Sequence, residues 1–160
     1  MSLPLHLAIG AFDGVHLGHR AVLHSARDAA RADGGIVGVL TYDPHPSKVL
    51  RPESCVPLIF TRAQKDERLT EAGAQLIHHE KFDRNHAGIE ATDFPKWLKQ
   101  TFPHLKSLHV GSNFQYGRGR AGHGETLIAH GAAEGLGVRL VAAVSLGDET
   151  VSSSRIRQCL

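Results

Sequence analysis

The sequence predicts an α/β fold: one doubly wound, mostly parallel sheet with helices on both faces. Three observations point there. Short apolar runs of β character alternate with longer stretches of helical periodicity. Glycines stand between them, where helix ends and turns belong. The chain of 160 residues is long enough to bury one core and too short for two full-sized catalytic domains. A single domain over residues 1–160 is the expectation.

The elements follow in order. Leu5 to Ile9 is a short apolar run that stops at Gly10, a buried strand. Leu17 to Ala32 carries apolar residues at Leu17, Ala21, Val22, Ala26, Ala29 and Ala30, a helical stripe closed by Gly34-Gly35. Ile36 to Leu40 is a second buried strand, and Gln75 to His78 a weaker one. Between these two lies a helical pattern over Thr61 to Ala72, ended by Gly73. A further helix over Ala91 to Thr101 precedes a strand over Ser107 to Val110. The set closes with a helix over Glu125 to Glu134 and a strand over Val138 to Val144. Alternation of this kind makes a parallel sheet buried on both faces. Such sheets bind ligands beyond the carboxyl ends of their strands, where the strand order reverses.

Composition narrows the function classes. With 41% hydrophobic and 21% charged residues the chain is neither disordered nor fibrous, and no apolar run approaches the roughly 20 residues of a membrane span. The first six residues lack the charged and apolar regions of a signal peptide. Cys55 and Cys159 lie too far apart in sequence to suggest a disulfide framework, which fits a cytoplasmic location. A formal charge of +2 argues against a general nucleic-acid binder. Twelve histidines are the compositional oddity. His78, His79, Glu80 and His86 lie close together, so a metal-binding reading stands beside one of scattered surface histidines.

Four loops carry the chemistry. Gly10-Ala11-Phe12-Asp13-Gly14-Val15-His16-Leu17-Gly18-His19 runs from a buried strand directly into a helix, which sets N–H groups and a positive dipole end beside the loop. Gly10 and Gly14 let main-chain N–H groups approach a ligand, and Gly18 leaves room for a phosphate. His16 and His19 are three apart and share a helix face. Two capping histidines, or a zinc pair, are the competing readings, although neither His-Glu-x-x-His nor Cys-x-x-Cys accompanies them.

After the second strand, Tyr42-Asp43-Pro44-His45-Pro46 is stiffened by two prolines, a rigid connector or a preformed wall for a flat ligand. Lys65, on the helix beyond, reads as a solvated charge. The third loop, Gly111 to Gly122, combines glycines with Phe114 and Tyr116 for stacking and with Arg118 and Arg120 for phosphate. In a sheet ordered 3-2-1-4-5 it lies across the switch point from the first loop. The fourth, Val151-Ser152-Ser153-Ser154-Arg155-Ile156-Arg157, is a capped helix start with hydroxyls and two arginines, another anion site.

Taken together, the four motifs resemble the HxGH nucleotidyltransferase superfamily. In their longer forms they resemble the FMN adenylyltransferase domain of the bacterial bifunctional riboflavin kinase/FMN adenylyltransferase (FAD synthetase) family. The resemblance rests on Gly-x-Phe-Asp-Gly-x-His-x-Gly-His at residues 10–19 and on Thr41-Tyr42-Asp43-Pro44-His45-Pro46. Gly111, Asn113, Phe114 and Gly117 in the third loop and Ser152-Ser153-Ser154-x-Ile156-Arg157 in the fourth complete it. Tyr42 and Tyr116 replace phenylalanines of the family pattern, Asn113 takes an Asp/Asn position, and Ser154 replaces threonine. The match covers about residues 5 to 160 and leaves no room for a riboflavin kinase half.

The resemblance implies a Rossmann-like fold and the transfer of an adenylyl group from ATP to FMN, giving FAD and pyrophosphate. It implies that His16 and His19 attend the ATP phosphates, with Gly10, Phe12, Asp13, Gly14 and Gly18 completing that site. Ser152, Ser153, Ser154 and Arg157 would hold the β- and γ-phosphates. FMN would lie against Pro44, His45 and Pro46, near Asn113 and Phe114, with Arg118 or Arg120 as a phosphate clamp. Mg²⁺ would arrive with ATP and be held mainly by phosphates, so no protein ligand is assigned. Small-molecule substrates, with no nucleic acid and no membrane, are the expected partners. Two alternatives remain at this level: an HxGH enzyme with another phosphate acceptor, and a detached nucleotide- or flavin-binding module with little turnover.

Overall fold

The structure, a computed structural model, describes residues 2–160. At its centre is β1 (Leu5–Ile9), every residue of which is buried. Its neighbours are β2 (Ile36–Tyr42) on one side and β4 (Leu105–Gly111) on the other. β3 (Leu76–Glu80) and β5 (Gly137–Val141) form the edges, all pairings are parallel, and the order is β3-β2-β1-β4-β5. The predicted doubly wound sheet and its strand order are therefore found. The reversal of direction falls between β1 and β4, so the loops after these two strands meet at one end of the sheet.

The two faces carry separate cores. Ala8, Val37 and Val39 pack against α1 (Leu17–Asp33) and α3 (Arg62–Glu71) through Val22, Leu23, Ala26, Ala30 and Leu69. Leu7, Ile9, Leu40, Leu108 and Val110 pack against α5 (Phe94–Thr101) and α6 (Gly124–Ala133) through Phe94, Leu98 and Leu127. Strand alternation sends successive side chains to opposite faces, which is why one apolar run feeds both cores. Burying each such Val, Leu or Phe contributes roughly 1.5–3 kcal/mol relative to exposure.

Helix ends follow local chemistry. Thr61 Oγ1 accepts from Gln64 N at 3.2 Å while Gln64 Oε1 accepts from Thr61 N at 2.9 Å, a reciprocal cap that starts α3. Gly34, at φ 71°, ends α1 in the left-handed conformation that glycine tolerates. Several elements depart from expectation. β2 runs two residues further, through Thr41 and Tyr42, because β3 continues alongside to pair with them. β5 stops at Val141, three residues early: Ser112 N donates to Val141 O, and the chain then leaves the sheet. Short helices α2 (Pro46–Leu50) and α4 (Arg84–Ala87) and a hairpin of β6 (Ser145–Leu146) and β7 (Glu149–Thr150) had no sequence signal. The chain ends in α7 (Ser153–Cys159).

Two histidines of the strand runs lie in the interior. His6 is 3% and His109 2% exposed, and Ser107 Oγ bridges them at 2.6 and 2.8 Å. His109 also meets Ser25 of α1, and His6 meets Asp33 at its end. This polar chain staples α1 across β1 and β4, so each ring nitrogen of His6 and His109 has a partner. His78 and Glu80 pair on one face of β3, whereas His79 points to the other and bonds Asp66. No helix among the described residues is long and apolar enough to cross a membrane.

Candidate active site

The loop after β1 is shaped by backbone strain. Phe12 sits at φ 52° and Val15 at φ 39°, left-handed conformations that bulky residues adopt only when their surroundings impose them. Phe12 is 1% exposed and rests edge-on against His19, with ring centroids 5.1 Å apart. Gly14, at φ 90°, has Ile59 against the space a Cβ would fill.

His16 caps α1 and His19 returns the bond. His19 N donates to His16 Nδ1, and His16 N donates to His19 Nδ1, both at 3.3 Å. The rings stack, with centroids 3.6 Å apart and an interplanar angle of 16°. With each Nδ1 accepting from a backbone N–H, each neutral ring carries its proton on Nε2 and offers it outward as a donor. Burial pushes the His19 pKa down to about 3, aided by His16 and Lys65, and burial also lowers that of His16. Gly18 makes the stack fit: a Cβ there would lie 2.9 Å from His16 Cε1.

These groups border a cleft of about 280 Å³. Gly10, Phe12, His16, Gly18 and His19 form one wall, Asn113 and Phe114 another, and Ala142 to Val144 with Ser152 and Ser153 the third. The early end of β5 frees residues 142–144 for this wall. Ser152 caps α7 by accepting from Arg155 N at 3.1 Å, and Ser153 Oγ donates to Asp13 O at 2.6 Å. Ser154 is exposed and does not line this cleft.

Asp13 and Arg157 turn away from this cleft. The Asp13 carboxylate, 3% exposed, accepts from Ile59 N and Phe60 N and from Arg157 Nη2 at 2.5 Å. Arg157 Nε donates to Pro57 O at 2.8 Å. The pair thereby ties α7, the β1–α1 loop and the segment before α3 together.

A second cavity, about 690 Å³, opens beside the first. Tyr42, Phe82, His86, Phe94, Phe114 and Tyr116 give it an aromatic wall, with Arg51 and Arg120 at hand. Of the residues the sequence suggested for a flat ligand, Pro46, Asn113 and Phe114 line it, and Pro44, His45 and Arg118 do not. His45 instead caps α2, accepting from Ser47 N at 3.2 Å, and faces a small pocket with Asp13 and Lys65. Arg118 is exposed and pairs with Glu90 at 3.5 Å. The sequence suggested no such place for Phe82, His86 and Phe94: Phe82 and His86 lie in an unassigned connection, His86 reading only as a metal-site or surface histidine, and Phe94 lies in the helix predicted over Ala91 to Thr101. Asn113 and Phe114 border both cavities, so the two spaces share a wall at the switch point.

Comparison with known proteins agrees with this geometry. A family model described as FAD synthetase matches residues 3–155. The chain is 30% identical over 154 residues to the bifunctional riboflavin kinase/FMN adenylyltransferase of Escherichia coli K12, covering 96% of this chain and 49% of that protein. It is 31% identical over 156 residues to the Bacillus subtilis protein of the same name, covering 96% and 48%. The chain thus spans about half the length of these curated relatives. A solved structure described as a macrolide-efflux protein from Streptococcus pneumoniae superposes with a TM-score of 0.86 at 26% identity, over 99% of this chain and 51% of that one. By its matching motifs and its match over nearly its whole length, this chain belongs to the FAD synthetase family.

Proposed function

We propose that this chain transfers the adenylyl group of ATP to FMN, releasing pyrophosphate and forming FAD. The observation that supports it most is the shared wall: a phosphate-type cleft and an aromatic cavity meet at Asn113 and Phe114. A donor in the first and a flat aromatic acceptor in the second would bring their phosphates together at that boundary.

A phosphate monoester has a second pKa near 6, so the FMN phosphate is largely dianionic at pH 7 and needs no general base. One of its oxygens attacks the α-phosphorus in line, and the bond from that phosphorus to the bridging β-oxygen breaks. Pyrophosphate leaves with the bond electrons. The barrier is chiefly the approach of two anions, so catalysis is positioning and charge stabilisation. The Nε2–H groups of His16 and His19 donate to α-phosphoryl oxygens, while the Ser152 hydroxyl and the Ser153 backbone N–H donate to the β- and γ-phosphates. Arg157 acts through Asp13 by holding α7 against the β1–α1 loop. Phe114 and Tyr116 stack on the flavin. Mg²⁺ enters as part of the MgATP substrate, coordinated by phosphate oxygens and water.

The test is incubation of the purified chain with MgATP and FMN, following FAD and pyrophosphate, with phosphopantetheine and nicotinamide mononucleotide as competing acceptors. FAD formation at one pyrophosphate per FAD is expected, and His19→Ala should lower turnover at least 100-fold with its fold intact. Flavin binding without FAD, or product only from another acceptor, would overturn the proposal.

A further inference from the structure

Lys65 is the fourth residue of α3, and its ammonium turns inward rather than to solvent. Nζ donates to Thr41 Oγ1 at 3.0 Å and to the carbonyl of Ala11 at 3.3 Å. Thr41 is fully buried, and its Oγ1 donates to the same carbonyl at 3.0 Å. Two donors from two elements converge on one carbonyl in the β1–α1 loop.

The direction of that carbonyl sets the direction of the next amide. In a trans peptide the C=O and the following N–H point to opposite sides. The Ala11 carbonyl points toward the small pocket that Lys65 lines with Asp13 and His45. The Phe12 N–H therefore points away from that pocket, and Phe12 itself lines the cleft with Gly10, His16 and His19. No acceptor for it occurs among the described residues. Phe12 is also the residue held at φ 52°, a conformation that costs on the order of 1–3 kcal/mol unless its neighbours enforce it.

We propose that Lys65 is a positioning residue: with Thr41 it clamps the Ala11 carbonyl, holds Phe12 in its left-handed conformation, and aims the Phe12 N–H at a nucleotide phosphoryl oxygen. Oriented main-chain N–H groups of this kind bind anions without reorganising when charge develops. The lysine charge also lies near enough to His19 to help depress its pKa, which keeps that ring neutral in the free protein. The identity of the ligand rests on the adenylyl-transfer reading, whereas the clamp itself is a claim about the loop.

Two readouts test it. Lys65→Met removes the donors and the charge while keeping most of the stem. Its kcat for FAD formation should fall about 100-fold, with the KM for ATP within threefold of wild type. Second, in ¹⁵N-labelled protein the Phe12 amide proton should move downfield when the Mg²⁺ complex of α,β-methylene-ATP is added, and this shift should vanish in Lys65→Met. If that variant does not fold, Lys65→Ala refolded with ethylammonium takes its place. Recovery of the Phe12 shift by ethylammonium, and not by equal sodium, supports the clamp, and no recovery overturns it. A kcat within threefold of wild type, or a KM increase matching the loss of kcat, overturns it too. Wild type that makes no FAD but shows the Lys65-dependent shift refutes the reaction and leaves the clamp standing. FAD formation with an unmoved Phe12 amide refutes the clamp alone.

Discussion

At Gly18, stability and chemistry are separable. Alanine there gains about 1 kcal/mol of helix propensity, because Gly18 is the second residue of α1. Its Cβ, however, would lie 2.9 and 3.1 Å from His16 Cε1 and Nδ1, so the ring must leave its stack on His19. Gly18→Ala should therefore melt within about 3 °C of wild type while losing at least tenfold in kcat. Parallel thermal melts and turnover measurements check this, and unchanged turnover would sink the assigned role of the stack. The glycine and both histidines were legible in the sequence because their spacing on a helix follows from local geometry alone. Lys65 was not. It reads as a surface charge, and the one hint was its place four residues before Leu69, which is fully buried. His6 and His109 had a plainer hint: each interrupts an apolar strand run whose neighbours are all core.

Among the elements, α7 docks through a buried ion pair, with hydrogen bonds from Ser153 and Arg157 beside it. The Arg157 and Asp13 side chains are 15% and 5% exposed. Removing one partner of such a pair leaves an uncompensated buried charge, typically worth about 3–5 kcal/mol. Two backbone amides still serve Asp13, so the lower end applies. Arg157→Met should cost about 3 kcal/mol in urea denaturation and expose the segment after Val144 to limited proteolysis. Asp13→Asn in the same chain should recover part of that cost, since the two sites are coupled. Equal proteolysis of wild type and variant would show that α7 docks by other means. Arg155 adds a pairing to Glu149 of β7, too exposed to carry the docking alone. In the sequence the serines and arginines read as an anion site. That one arginine serves Asp13 depended on a contact spanning 144 residues, which no local pattern encodes.

For the whole molecule, buried neutral histidines set the response to acid. Burial lowers His19 to about 3, and burial with the nearby His6 and Arg139 lowers His109 to about 4. In the unfolded chain both titrate near 6.5. Above that value neither state binds the proton and stability is complete. Below it the unfolded state takes up protons that the folded state refuses, so stability falls as pH drops from about 6.5 toward 4. Each histidine should cost on the order of 1–2 kcal/mol by pH 5. Denaturation midpoints measured from pH 7.5 to 5.0 should decline over that window, and His109→Gln should flatten the decline. A level profile in wild type would refute the buried neutral assignment.

By itself the sequence determined the layered α/β fold, and its resemblance to a known family supplied the strand order and the family. The fold follows from short-range periodicity and capping chemistry, and the resemblance from motif spacing, all of which act within a few residues. Only the tertiary structure decided which side of each loop faces a cavity. It turned Asp13, His45, Arg118 and Arg157 away from the two cavities, brought Phe82, His86 and Phe94 into one of them, and set Lys65 beneath the Ala11 carbonyl. The physical reason is that burial and partner choice depend on segments far apart in the chain, and a charge's role changes once folding takes it out of water.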